Sequence, residues 1–286
     1  MIKPITFEEG MTPEVGNYYL SMPNETYHST RGFISKSGLD IFHKDPYKYF
    51  NQKPREQTRA MQIGSAIHAA ILEPEVFDRE FMLLPEIKDR RQAEYKQAVK
   101  SFGVGNVFTD KDCEKISGIQ KAVWANDEAR KLLSADGHCE ISGFSVDDET
   151  GVKFRHRFDK LACVDGEWFG VDVKKTQSVD EFKFSRSMWD YRYHVQDALY
   201  SRGFKSIAGK ELAGFFFIAV EEEYPHKVAV FELCSVSQSI AETELNEDLA
   251  LYSEYAKGNI KAHNNSQSTI ISLPEWVLRE YESEVI

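Results

Sequence analysis

The sequence of 286 residues has few cysteines, and none of them lie close together: Cys113, Cys139, Cys163 and Cys234 are 26, 24 and 71 residues apart. Because no C-x-x-C pair occurs, neither a zinc ribbon nor an iron-sulfur cluster is indicated, and we expect four separate thiols. No apolar run approaches the roughly 18 residues of a membrane span. The start, MIKPITFEEG, lacks the apolar segment of a signal peptide. We therefore expect a cytoplasmic protein without a membrane partner.

The sequence also lacks a P-loop, G-x-x-x-x-G-K-[ST], so we predict no ATP-driven motor in this chain. It has no excess of positive charge: a net charge of −11 argues against a protein that coats nucleic acid with its whole surface. Residues 151–210 nevertheless hold 12 Lys and Arg against 8 Asp and Glu. This local excess fits either a basic channel in an acidic body or chance variation along a mixed surface.

No internal repeat, low-complexity tract or linker rich in Pro, Gly and Ser divides the chain. The simplest organisation is one domain over residues 1–286. We expect it to consist of an N-terminal arm (1–60), a core (61–260) and a C-terminal extension (261–286).

Hydrophobic periodicity predicts an α/β fold in which helices come first and strands dominate the centre of the core. The capping-box spacing of Ser178 and Glu181 predicts a helix that runs to about Gly203. Further predicted helices are Ser37–Tyr49 with Ser37 as its cap, Met61–Pro74, two helices in 92–134 separated near Gly103–Asp110, and 238–257. The predicted strands are EISGFSVD, VKFRHRFDKLACV, WFGVDVKKT, AGFFFIAVE and KVAVFELC.

Val164-Asp165-Gly166-Glu167 joins two of these strands, and Asp-Gly is a favoured two-residue hairpin loop. With that loop Val164 pairs with Glu167, and the same register places Asp159 opposite Asp172. Directly opposed side chains have Cβ atoms about 4.5–5.5 Å apart, so two carboxylates there need a compensating charge. A divalent cation would supply it, and oxygen ligands favour magnesium or manganese over zinc. A bulge or a one-residue slip would instead turn Asp172 to the other face.

Lys174 lies two residues beyond Asp172, so strand alternation puts both side chains on one face. Two carboxylates and a lysine suit phosphodiester hydrolysis, because a metal ion activates water while the lysine orients that water or stabilises charge on phosphorus. Whether Lys174 is the base itself stays open. D-x-K alone is also typical of a solvated strand face, and the pairing with Asp159 is what favours a site.

Two further features favour the same site. Gln196 and Tyr200 are four residues apart on the helix after the strand, so they share a face that points to the site or forms an ordinary surface-to-core pair. His68 stands alone on an apolar helix, either as a buried core histidine or as the imidazole that completes a divalent-metal site.

In their order along the chain these residues resemble the RecB-like branch of the PD-(D/E)xK nucleases. The pattern comprises G-S-A-I-H at Gly64–His68, Asp159, D-V-K at Asp172–Lys174, and Q-x-x-x-Y at Gln196–Tyr200. The opening YYLSMPNETYHSTRGFISKSGLDIFHKDPYKYF is similar to the start of the RecE (exodeoxyribonuclease VIII) nuclease domain of phages and prophages. The resemblance implies a restriction-endonuclease-like α/β core, with a mixed central sheet flanked by helices and a helical N-terminal arm.

The resemblance also implies roles for individual residues. The metal ligands would be His68, Asp159, Asp172 and the backbone carbonyl of Val173, with Glu140 as a further candidate. The catalytic set would be Asp159, Asp172, Lys174, Gln196 and Tyr200. Phosphate contacts would come from Lys153, Arg155, Arg157 and Lys175, although basic residues alternating along a strand are also typical of a solvated face. The family's D-x-K-T reads D-V-K-K-T here, and strand parity favours Lys174 over Lys175 as the residue that faces the metal.

The implied activity is ATP-independent 5′ to 3′ exonuclease digestion of linear double-stranded DNA with Mg²⁺, for which Mn²⁺ could substitute. It would leave 3′ overhangs for a single-strand annealing recombinase, in the cytoplasm of a bacterial host of a phage or prophage. Relatives of this type form tetrameric rings, and a ring would confine the basic surface to a channel. An endonuclease or repair nuclease with the same core and a catalytically silent binding module remain as alternatives.

Overall fold

The computed structural model describes residues 2–53, 57–261, 268 and 270–282. The strands are β1 (Ile5–Thr6), β2 (Asn17–Leu20), β3 (Ile34–Ser35), β4 (Met82–Leu84), β5 (Val107–Thr109), β6 (Asp136–Val146), β7 (Lys153–Val164), β8 (Glu167–Thr176), β9 (Gly214–Glu221) and β10 (Val228–Glu232). The helices are α1 (Asn24–Ser29), α2 (Lys36–Lys44), α3 (Pro46–Asn51), α4 (Arg59–Leu72), α5 (Pro74–Glu80), α6 (Ala93–Phe102), α7 (Lys111–Ala125), α8 (Asp127–Ser134), α9 (Glu181–Asp190), α10 (Tyr193–Ala208), α11 (Ser235–Ala256) and α12 (Glu275–Glu282). The expected C-terminal extension, 261–286, lies partly outside the described residues.

A mixed sheet of eight strands forms the centre, in the order β1-β2-β6-β7-β8-β9-β10, with β3 paired to β7. Strands β6, β7 and β8 form the predicted antiparallel meander, and β9 then joins β8 in parallel. A parallel neighbour needs a crossover connection, and α9 with α10 supplies it. The predicted α/β fold with a mixed central sheet flanked by helices is confirmed.

Helices cover both faces of the sheet because successive strand residues point to opposite sides. On one face α4, α7 and α8 bury Val171 and Ile218 of the sheet. On the other face, α9 and α10 bury Phe158 and Phe217. Within the described ranges no helix is long and apolar enough to cross a membrane.

The predicted helix Ser37–Tyr49 is wrong in extent, since two helices, α2 and α3, occupy this region. Helical conformation is disfavoured for a residue that precedes proline, so the first helix ends before Asp45, which is followed by Pro46. The Asp45 carboxylate then caps α3 by accepting a hydrogen bond from the Lys48 backbone N–H at 2.9 Å. The cap of α2 is Ser35 rather than Ser37, because the Ser35 hydroxyl accepts from the Gly38 N–H at 3.2 Å.

Two more predicted helices are also divided. Residues 92–134 form α6, α7 and α8, with β5 in the predicted gap, and Asn126 caps α8 by accepting from the Ala129 N–H at 2.9 Å. The helix predicted from Ser178 begins later, with Asp180 as its cap, and it is interrupted at Arg192, whose φ of 53° is left-handed. This interruption sets the direction of α10 and hence of Gln196.

Candidate active site

The predicted hairpin has the expected loop and register. Val164 pairs with Glu167, and the pairing continues to Lys160 with Val171. The backbone pairing of the two strands ends there, and the same register continued by one residue would place Asp159 opposite Asp172. The Asp159 carboxylate accepts a hydrogen bond from the Val173 backbone N–H at 2.7 Å. A side chain thus replaces a backbone acceptor where the two strands cease to pair.

Three of the predicted metal ligands come together from three different elements. His68 on α4, Glu140 on β6 and Asp159 on β7 each offer a ligand atom within 4.8 Å of the others. In this cluster His68 Nδ1 lies 3.3 Å from Asp159 Oδ2. We refer to these three side chains as the ligand cluster.

The backbone of Glu140 is strained at this point. Its φ of 47° lies in the left-handed region, where a residue other than glycine costs about 1–3 kcal/mol. Cys139 pairs with Lys160 and Ile141 with Phe158, so Glu140 and Asp159 face each other at the interruption of this ladder. The strain accompanies the convergence of the Glu140 carboxylate with Asp159.

A second, hydrogen-bonded group lies directly beside the ligand cluster. Lys174 Nζ is 2.5 Å from Asp172 Oδ2 and donates to Gln196 Oε1 at 2.9 Å. The Gln196 amide in turn donates to Asp172 Oδ1. Strand parity is confirmed, because Lys175 points away and forms an ion pair with Glu222 at 3.1 Å. We refer to Asp172, Lys174 and Gln196 as the lysine group.

Two tyrosines complete the surroundings. Tyr200 is half-buried, and its ring lies 5.2 Å from Phe158 and 5.6 Å from His156. Burial raises the pKa of the Tyr200 phenol well above its usual range, so this side chain is neutral. Tyr193 was missed by the sequence analysis, although its ring lies 4.6 Å from Lys174 Nζ. Its position three residues before Gln196, on the same helical face, is the signal that could have found it.

The carboxylates perturb their neighbours in the ligand cluster. Burial lowers the pKa of His68, but the charges of Asp159, Glu140 and Asp172 outweigh this effect and raise that pKa to about 9. Burial and the Asp159 charge raise the pKa of Glu140 to about 7. Burial alone would raise the pKa of Asp159, but the His68 and Lys174 charges hold it below its usual value. Without a cation, the cluster therefore retains protons at neutral pH.

The lysine group shows the complementary pattern. Burial lowers the pKa of Lys174, but the Asp172 and Asp159 charges outweigh it and raise that pKa. For Asp172, burial and the Asp159 charge outweigh the Lys174 charge, so its pKa is raised. The ligand cluster, with two carboxylates and one imidazole, fits a divalent cation such as Mg²⁺ or Mn²⁺. Asp172, by contrast, already has Lys174 and Gln196 as partners.

Arg155 and Arg157, which were expected to contact DNA, are engaged by the N-terminal arm. Arg155 donates to the carbonyls of His28, at 3.1 Å, and Thr30. Arg157 donates to the Met22 carbonyl at 2.9 Å and to the Ser142 hydroxyl at 2.7 Å. These donors hold the arm on the sheet, whereas Lys153 is exposed.

The fold and the site together define a PD-(D/E)xK-type protein: a mixed sheet presents Asp159, Asp172 and Lys174 beside a histidine-carboxylate cluster. The chain belongs to the family described as "PDDEXK-like domain of unknown function (DUF3799)", whose model matches residues 42–269. This membership confirms the predicted class, a nuclease of the PD-(D/E)xK superfamily.

The same fold occurs in a solved structure. The chain is similar to a candidate exonuclease from Eubacterium rectale, with a TM-score of 0.61 and 13% identity over 91% of this chain and 98% of that chain. A second structure, of SSO0001, has 14% identity over 66% of this chain and 86% of that chain. Its TM-score of 0.31 is too low to indicate a shared fold. No curated protein matches the sequence.

Proposed function

We propose that the chain is an ATP-independent, Mg²⁺-dependent exonuclease that degrades the 5′-ended strand of linear double-stranded DNA. The observation that carries the proposal is one hydrogen bond, from the Val173 N–H to Asp159. Val173 stands between Asp172 and Lys174, so this bond joins the ligand cluster to the lysine group. A candidate metal site and an ammonium are thus adjacent, an arrangement that suits phosphodiester hydrolysis.

A divalent ion held by His68, Glu140 and Asp159 would polarise a phosphate oxygen and lower the pKa of water. Lys174 remains an ammonium at neutral pH because its pKa is raised, with the Asp172 and Asp159 charges outweighing burial. It is therefore placed to orient water or to stabilise charge on phosphorus as a hydrogen-bond donor. Asp172 and Gln196 hold the ammonium in place, and Tyr200 supports the adjoining wall of the site.

The polarity, the 3′ overhangs and the role in recombination rest on the resemblance to the RecE nuclease domain. The same resemblance supports a tetrameric ring, a partner annealing recombinase and a phage or prophage origin with a cytoplasmic location. We also propose one nuclease domain, because β2 and β3 of the arm pair with β6 and β7 of the core. Lys153 and Lys175 remain candidates for phosphate contacts.

The test is digestion of linear duplex DNA labelled separately at its 5′ and 3′ ends, with Mg²⁺, by the native chain and by Asp172→Ala. We expect release of the 5′ label by the native chain alone, and no cleavage of covalently closed circles. Cleavage of closed circles would indicate an endonuclease instead. Equal inertness of both proteins would reject the nuclease and favour a silent binding module.

A further inference from the structure

Helix α9 and the turn after it carry three large aromatic side chains that solvent reaches. Phe182, Trp189 and Tyr191 are 65%, 61% and 62% exposed. Single exposed apolar residues are ordinary on a protein surface, but several large rings within one short segment indicate a binding surface. We call these three residues the aromatic surface.

Two of the rings are held in place by parallel stacking on α10. Tyr191 stacks on Tyr193 with centroids 5.6 Å apart and planes inclined by 21°. Trp189 stacks on His194 at 5.3 Å and 7°. The supporting ring is the more buried member of each pair, so the outer ring is fixed while much of it remains open to solvent. A ring fixed in this way loses little conformational entropy when a ligand stacks on it.

The aromatic surface is continuous with the candidate active site. Tyr193, which supports Tyr191, lies 4.6 Å from Lys174 Nζ. Lys36 Nζ donates to the Tyr191 carbonyl at 2.6 Å and lies 5.7 Å from the Tyr193 ring. A polymer whose phosphate lies at Lys174 therefore has an exposed flat ring within reach of its next units, while the Lys36 ammonium is paired with Asp40 at 2.7 Å.

Arg186 adds a cation to the same surface. Phe182, Arg186 and Trp189 are spaced four and three residues apart, so they share one face of α9. The Arg186 guanidinium lies 4.8 Å from the Phe182 ring. A cavity of about 400 Å³ beside it is lined by Ser185, Arg186, Trp189 and Asp190. Exposed rings with an interposed cation fit single-stranded nucleic acid, whose bases stack while its phosphates need positive charge.

We propose that Trp189 and Tyr191 stack on unpaired bases of the strand that is cut, while Arg186 binds its backbone. This inference rests on the proposed nuclease function and names the substrate class: a DNA end with unpaired bases. Bases inside a duplex are covered by their neighbours, so only unpaired bases can stack on these rings. DNA with a single-stranded tail therefore binds more tightly than a blunt duplex.

The test measures binding without cleavage, in an Asp172→Asn background, by fluorescence anisotropy. The probes are labelled oligodeoxythymidylate and an abasic oligonucleotide of equal length. Adding Trp189→Ala with Tyr191→Ala lowers the affinity for oligodeoxythymidylate by about 10-fold or more, because each stacked base contributes substantially. The affinity for the abasic probe changes little. Trp189→Phe with Tyr191→Phe restores most of the binding, because the rings are kept.

Trp276→Ala is the matched control, since it removes another tryptophan that is 72% exposed, and binding stays unchanged. Mn²⁺ binding by each variant verifies that the ligand cluster is intact. Equal oligodeoxythymidylate affinity of the double alanine variant and its parent would overturn the inference. So would equal affinity of the parent for both probes, or a change in sedimentation alone, which would assign the surface to contacts between copies of the chain.

The outcome is separable from that of the proposed function. A native chain that binds oligodeoxythymidylate through these rings but cuts no DNA would reject the nuclease and support the stacking surface. A chain that cuts linear DNA with no dependence of binding on the rings would support the nuclease and overturn the stacking surface.

Discussion

Among the described residues, histidine meets carboxylate in two regions, and only one of these regions has a guanidinium at its centre. Between α2, α10 and α11, the Arg192 guanidinium lies 2.6 Å from Asp248, 3.1 Å from Glu244 and 3.4 Å from Asp40. We call this set the arginine network. His43 Nδ1 lies 2.7 Å from Asp248 Oδ1, the oxygen that Arg192 does not contact, and His194 Nε2 lies 3.2 Å from Glu244 Oε2, which Arg192 also contacts.

In the ligand cluster the nearest guanidinium is that of Arg157, 3.9 Å from Glu140, and most of its hydrogen bonds go to other groups. Beyond what the adjacent Lys174 ammonium supplies, the negative charge of this cluster is therefore met by protons on His68 and Glu140 or by a metal ion. Similar side chains form a structural network around Arg192, where a guanidinium lies between the carboxylates, and a candidate binding site in the ligand cluster, where no guanidinium from the described part of the chain occupies that position. The position of one permanent cation decides between the two.

Asp159→Asn separates the two regions most strongly. Asparagine keeps an acceptor for the Val173 N–H but removes the charge that binds a metal ion, so activity falls by at least about 1000-fold. End-labelled linear duplex DNA measures the loss. Asp165→Asn in the hairpin loop is the matched control, since φ there is 51° and asparagine tolerates that conformation. Retained activity of Asp159→Asn would contradict the assignment of the ligand cluster.

Arg192→Ala tests the arginine network. Its removal leaves the buried Asp248 carboxylate and the partly exposed Glu244 carboxylate without their cation, and the free energy of unfolding falls by about 3–5 kcal/mol. Urea unfolding measures the change. Arg130→Ala, which breaks a solvent-exposed pair with Asp127, is the control and changes stability by about 0–1 kcal/mol. Similar small losses of stability for both variants would show that the arginine network stabilises the fold no more than an exposed ion pair does.

Lys174→Ala and Lys175→Ala compare two adjacent lysines on opposite faces of β8. Loss of the Lys174 ammonium removes the donor beside the ligand cluster and lowers the cleavage rate by about 100-fold or more. Lys175 pairs with Glu222 on the other face, so its loss changes the rate only a few-fold. Steady-state cleavage of linear duplex measures both, and the reverse order would mean that the wrong lysine has been assigned.

The pH dependence gives the smallest effect. Burial lowers the pKa of His68, but the neighbouring carboxylates outweigh it and raise that pKa from its usual 6.5 to about 9. Protonated His68 therefore stabilises the folded state, fully below pH 6.5, and this stabilisation is lost as the pH rises through 9. In chelator, the melting temperature therefore falls between these pH values. A metal ion needs neutral His68, so Mn²⁺ affinity rises, by up to about 10-fold per pH unit for one displaced proton. His68→Gln reduces this dependence and leaves the part that is due to Glu140, whose pKa is raised to about 7 by burial and the Asp159 charge. A flat profile in the native chain would contradict the prediction.

The features that sequence predicted depend on local rules. The Asp-Gly loop fixes the first five pairs of the β7–β8 hairpin, and strand alternation alone separates Lys174 from Lys175. These results follow from backbone geometry over a few residues, so one sequence is enough to predict them.

The features that it missed depend on distant partners. The left-handed φ of Glu140 arises where β6 meets β7, and the break at Arg192 is stabilised by carboxylates of α2 and α11. Arg155 has the spacing of a solvated or DNA-binding face, yet it binds carbonyls more than a hundred residues earlier in the chain. No local pattern marks such contacts.

The contacts of Arg155 and Arg157 with the arm show that the fold needs residues that lie before the segment matched by the family model. The family match begins at residue 42, whereas the carbonyls that accept from Arg155 and Arg157 belong to Met22, His28 and Thr30. A chain shortened to the matched segment would keep every candidate catalytic residue but lose these acceptors, and with them the packing of the arm on the sheet. Its strand β7, which carries Asp159, would also lose its pairing with β3. We therefore expect the shortest stable fragment to start before Met22, upstream of the boundary that the signature alone would give.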